Sequence, residues 1–94
     1  MKQMKIKKWV DGDSGYFTNN EAFRLANVRC PESYQFGGTT ALRTVAGMTS
    51  RYNNVVMVTL ITYDNYRRAV VEMKNPDGSI NERMRAKGYT NKGR

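Results

Sequence analysis

The chain has 94 residues, enough for one domain that buries roughly 60–65% of its unfolded surface. It contains no histidine and one cysteine, which excludes His-based triads, Cys–His nucleophiles, zinc deaminase chemistry and an internal disulfide. Sixteen Lys and Arg against eight Asp and Glu give a net charge of +8, which draws polyanions and makes nucleic acid the first candidate partner.

Met4, Ile6 and Trp9-Val10 predict a first strand over about Gln3–Val10, with lysines on its wet face. Asp11-Gly12-Asp13-Ser14-Gly15 is a turn, and Tyr16-Phe17-Thr18 followed by Asn19-Asn20 leads into a third strand over Glu21–Val28. Phe23 and Leu25 share one face of that strand, and Ala22, Arg24, Ala26 and Val28 the other. Pro31 ends it, and a loop through Ser33–Gly38 leads to Thr39 or Thr40 as the N-cap of a helix that follows. Leu42, Val45, Ala46 and Thr49 form its covering stripe, with Arg43 and Arg51 turned outward.

Asn53-Asn54 breaks the helix, and Val55–Tyr63 reads as a buried central strand. Asp64-Asn65-Tyr66 turns into Arg67–Met73, and Asn75-Pro76-Asp77-Gly78 is a further turn. Ser79 and Glu82 stand at capping-box spacing before a short helix to Lys87, with Gly88 as C-cap and Asn91–Arg94 as a frayed tail. Three strands, a helix, two strands and a short helix make a mainly β chain with two helices, in the order of a five-stranded OB-fold barrel. One domain over residues 1–94 is expected. No apolar run reaches the ~20 residues of a membrane span, and the charged N-terminus lacks the apolar core of a signal peptide. A cytoplasmic monomer follows as the expectation.

Four ordered blocks resemble the staphylococcal-nuclease-like (thermonuclease) family: Val10-Asp11-Gly12-Asp13-Ser14, Phe23-Arg24-Leu25, Pro31-Glu32 and Asp64-Asn65-Tyr66-Arg67-Arg68. Gly78-Ser79-Ile80-Asn81-Glu82 with Gly88-Tyr89 resembles the segment where that family places an Asn at the start of its second helix. The resemblance spans about Lys8 to Tyr89 and implies an OB barrel crossed by the first helix, without the family's C-terminal extension. It also implies a phosphodiester-hydrolysing endonuclease with a carboxylate-bound calcium, a water-activating glutamate and two phosphate-holding arginines. By position, Asp13 is the metal carboxylate, Arg24 and Arg68 the phosphate arginines, and Glu32 the glutamate. Guanidinium forks meet phosphate oxygens bidentately, and a glutamate one water away takes a proton or aims the nucleophile.

Two positions depart from the family. Arg29 stands where the second metal-ligand aspartate is expected, which exchanges a calcium ligand for a permanent cation beside Asp13. Arg67 replaces the glycine before the second arginine. Two readings follow: a nuclease of DNA or RNA in which Arg29 assumes part of the metal's electrostatic task, or a module that binds nucleic acid through Arg24, Arg29, Arg67 and Arg68 without cutting it, its site neutralised by Arg29 pairing with Asp13 or Glu32.

Asp11 reads as a turn former, and Asp64 as the cap of the turn before Arg68. Arg24 has the alternative of a core ion pair with Glu32. Tyr34, Phe36 and Tyr66 are the aromatics best placed to stack the bases of a single strand. Lys5, Lys7, Lys8, Arg83, Arg85, Lys87 and Lys92 either track a phosphate backbone or form ordinary solvated faces. The six methionines read as core filler.

Overall fold

The computed structural model describes residues 1–90; Lys92 and the Asn91–Arg94 tail lie outside the described residues. The elements are β1 (Lys2–Asp11), β2 (Ser14–Phe17), β3 (Ala22–Leu25), α1 (Gly38–Ser50), β4 (Val55–Tyr63), β5 (Ala69–Asn75), β6 (Gly78–Ser79) and α2 (Ile80–Ala86). The strands run β3-β2-β1-β4-β5-β6, and β3 also pairs with β5, which closes β1–β5 into a barrel and leaves β6 as a short appendage. This is a closed five-stranded barrel with two helices, an OB-like fold.

Among the described residues the closure is the one parallel pairing, Phe23↔Ala69, Arg24↔Val70 and Leu25↔Val71. Every other strand contact is antiparallel. Asn81, fully buried at the start of α2, clamps the seam. Its Oδ1 accepts from the Met73 N–H at 2.9 Å, and its Nδ2 donates to the Ala26 and Val71 carbonyls at 3.1 and 3.0 Å. The Ala26 N–H donates to the Val71 carbonyl at 2.9 Å across the same seam. The core around it is one cluster that includes Ile6, Phe17, Phe23, Leu25, Val45, Val71, Met73, Ile80 and Met84. Phe17 stacks on Phe23 at 4.4 Å, and Trp9 meets Phe23 edge-on while donating its indole N–H to Thr49.

Several expectations are corrected. The third strand ends at Leu25, not Val28, because Asn27 takes a left-handed φ of 57° that asparagine tolerates; Val28 returns only as a bridge to Thr90. The first helix ends at Ser50, and its N-cap is neither threonine but Gly37, at φ 82° with no side-chain cap bond. Its buried stripe is Ala41, Val45, Met48 and Thr49, rotated about one residue from the expected one, so that Leu42 and Ala46 are only half-buried. In β4 only Val56 and Val58 are buried, because β1 starts opposite Val58 and Thr59–Tyr63 pair with β5 alone. Among the methionines Met48, Met73 and Met84 are core, whereas Met1 is exposed.

Other signals translate directly. Asn53 and Asn54 take φ of 56° and 63° at the break, and the Ser79 hydroxyl accepts from the Glu82 N–H at 3.1 Å to cap α2. Gly88 turns away from α2 at φ 98°. Among the described residues no helix is long and apolar enough to cross a membrane.

Asn81→Ala strands a buried N–H and removes one partner from each of two carbonyls. A stability loss of about 3 kcal/mol or more is expected in urea unfolding, since each orphaned buried group costs about 1–3 kcal/mol.

Candidate functional site

A cleft of about 770 Å³ gathers residues from four places in the chain. The β1–β2 turn contributes Asp11 and Asp13, β3 contributes Arg24, the segment before α1 contributes Arg29, Cys30, Pro31, Glu32, Gln35 and Phe36, and the β4–β5 turn contributes Arg68. Thr90 completes the wall.

The turn is built by Asp11, whose Oδ1 accepts from the Asp13 N–H at 3.3 Å and the Ser14 hydroxyl at 2.6 Å. This is the structural role expected of it, although its side chain also faces the cleft. Gly12 is required where the turn meets the wall: a Cβ there would stand 2.7 Å from Cys30 Sγ and 2.8 Å from Ala41 Cβ. Asp13 is fixed on both sides. Its carbonyl accepts from the Leu25 N–H at 2.8 Å, and its Oδ2 accepts from the Cys30 N–H at 3.2 Å. Burial, with the hydrogen bond and charge of Asp11 added, pushes the Asp13 carboxyl up to about 7, against the opposing pull of the Cys30 N–H and Arg24. Burial and then the charges of Asp13 and Asp11 push the Cys30 thiol up to about 12, so it is a packing group and not a nucleophile.

The two arginines expected to share a phosphate meet through the seam. Arg24 lies opposite Ser14 on one side and Val70 on the other. Arg68 immediately precedes Ala69, the partner of Phe23, so continued register places it opposite Ala22, on the same face as Arg24. Arg68 is held by Asp64, whose Oδ2 accepts from its Nε at 2.8 Å. Asp64 Oδ1 accepts the Tyr66 and Arg68 N–H groups at 2.9 Å each, as expected of a turn cap. Some desolvation opposes them, but these bonds hold the Asp64 carboxyl below its ordinary value.

Glu32 is set by a tight loop. The Gln35 N–H donates to its carbonyl at 2.8 Å, Gln35 Oε1 accepts its N–H at 2.8 Å, and the Tyr34 hydroxyl donates to its Oε2. Gly38 must be glycine because a Cβ there would run into the Glu32 carbonyl. Arg29 is exposed and its N–H reaches the Tyr89 carbonyl at 3.4 Å, so the Val28–Thr90 bridge fixes its place. Among the described residues the ion pairs are Arg51–Asp77 and Arg68–Asp64. Neither the Arg24–Glu32 pair nor an Arg29 pair with Asp13 or Glu32 is among them.

Of the residues singled out in the sequence, Asp13, Arg24, Arg29, Glu32 and Arg68 share the cleft. Tyr34, Tyr66 and Arg67 do not line it. Tyr34 reaches it through Glu32, Tyr66 lies under the Arg68 guanidinium at 5.6 Å, and Arg67 is exposed with φ 64° in the position where the resemblance expects glycine. Gln35 and Thr90 were not legible as cleft residues. Gln35 carried the faint signal of an amide three residues after Glu32, and Thr90 carried none.

Calcium takes about six to eight oxygen ligands. Here Asp11 Oδ1 is committed to its turn, Asp13 Oδ2 to the Cys30 N–H, and Arg29 stands in the same cleft. No three of the described Asp, Glu or Cys side chains converge. The oxygens that a calcium ion in this cleft would draw on are those of the Asp11, Asp13 and Glu32 carboxylates, with the Arg29 cation beside them. No family model matches the chain, and no curated protein matches it.

The sign of the Asp13 shift makes a prediction. Its folded pKa of about 7 lies above the ordinary 3.8, so it adds stability that is complete below about pH 4 and lost as pH rises through 7. Asp13→Asn removes that loss. The variant is expected to melt above the wild type at about pH 8, with the gap closing toward pH 4, in thermal scans across that range.

Proposed function

We propose that this chain is a phosphodiesterase of the staphylococcal-nuclease-like type that cuts single-stranded DNA or RNA without a bound calcium. The observation that carries the reading is the convergence of Arg24, Arg29 and Arg68 with Glu32 in one polar cleft. Three guanidinium groups share the cleft with the carboxylates of Asp11, Asp13 and Glu32, and their forks suit an anion whose charge grows in the transition state. A carboxylate facing that anion repels it, which favours a role for Glu32 in handling a proton or a water.

In this reading the phosphate lies against Arg24 and Arg68, with Arg29 in the place of the absent cation. Glu32 takes a proton from the attacking water as its oxygen bonds to phosphorus and the bond to the leaving ester oxygen breaks. Solvent returns a proton to the leaving alcohol. Asp64 keeps the Arg68 fork aimed, and Asp13 orders the wall through Cys30.

A second reading, binding without cutting, draws on two observations: Arg29 in the metal-ligand position, and the Tyr34 hydroxyl on a Glu32 oxygen. Cleavage of labelled single-stranded DNA and RNA, with calcium or with chelator, separates the two. Cutting that persists in chelator and falls about 10²–10⁴-fold in Glu32→Gln is expected. An inert wild type that binds the strands, with calcium-dependent cutting gained in Arg29→Asp, would establish the second reading instead. Arg68→Lys keeps the charge but loses the fork, and a drop of at least about tenfold in rate is expected in the same assay.

A further inference from the structure

We infer that Phe36 is the stacking platform for a nucleobase flanking the bound phosphate, so the ligand of the cleft is an unpaired strand with a base on the Glu32 side. The inference rests on the phosphate reading above and adds the part of the ligand that the arginines do not read.

Phe36 is 103% exposed while lining a cleft otherwise dominated by charged and polar groups. A bare phenyl ring there is not core that has drifted outward, because it belongs to no part of the core cluster. Nor does it sit on slack backbone. The loop below it is tied by Gln35 N–H to the Glu32 carbonyl and by Gly38 N–H to the Gln35 carbonyl, at 2.8 and 2.9 Å. Gly37 closes that loop at φ 82°, and Gly38 packs on Glu32. The ring is therefore presented, at low conformational cost, four residues from the glutamate.

The other two exposed aromatics near the cleft are engaged: the Tyr34 hydroxyl donates to Glu32, and the Tyr66 ring faces Arg68. Among the described residues Phe36 enters no aromatic pair and no cation contact. An open apolar face in the same cleft as Arg24, Arg29 and Arg68 is complementary to a nucleotide, whose base offers a π-face a short backbone step from its charge. In a duplex both faces of each base are covered by neighbours, which leaves nothing for Phe36 to take.

The test is binding to the Glu32→Gln protein, which holds the strand intact. Three labelled probes of about a dozen nucleotides, within the span of one OB barrel, are compared at low salt: a single-stranded DNA, the same strand with abasic sugars throughout, and the duplex. The base-bearing strand is expected to bind at least about fivefold tighter than the abasic one. Adding Phe36→Ala is expected to abolish that gap with abasic affinity unchanged, while Phe36→Trp retains it. Equal binding of the base-bearing and abasic strands, or a gap that survives Phe36→Ala, overturns the stacking role and leaves the phosphate site standing. Binding of neither strand overturns the phosphate reading and this inference together.

Discussion

The barrel seam is the constraint on which the rest depends. A parallel pairing of three residues between β3 and β5 is short, and parallel ladders are slightly weaker per residue than antiparallel ones. Asn81 compensates by satisfying Met73, Ala26 and Val71 from inside the core, where an unmade hydrogen bond is costly. The same closure brings Arg24 and Arg68 into one cleft, so the seam that stabilises the fold also joins two of the cleft's arginines.

The second determinant is the absence of two Cβ atoms. Gly12 lets the Asp11–Ser14 turn settle on Cys30 and α1, and Gly38 lets the Glu32 carbonyl rest against the first turn of α1. Between them these contacts hold the acidic groups of the cleft on opposite sides of Pro31, against arginines delivered by the seam. The electrostatics follow from the packing. Asp13, turned inward against Cys30, is pushed by burial toward its neutral form.

Local chemistry was legible in the sequence wherever one residue dictates its own conformation. The Ser79–Glu82 cap, the Asp64 turn, the Asn53-Asn54 break and the order of barrel elements were all readable for that reason. What was not legible depends on contacts between distant segments. The helix cap fell to Gly37 because Gly38 has to meet Glu32, a pairing invisible in a run that also offers Thr39 and Thr40. The apolar run Val55–Tyr63 looks uniformly buried, yet half of it pairs with β5 alone because β1 reaches only to Val58. Of the residues singled out by side-chain type, Asp13, Arg24, Arg29, Glu32 and Arg68 line the cleft, whereas Gln35 and Thr90 enter it through loop path alone.

The central claim is that the seam places Arg24 and Arg68 on a single phosphate. A crystal structure of the protein with a phosphorothioate dinucleotide tests it most directly. The account predicts the modified phosphate within hydrogen-bond distance of both guanidinium groups, with the Glu32 carboxylate facing phosphorus. A dinucleotide bound along another face of the barrel, or a phosphate held by only one of the two arginines, would contradict it.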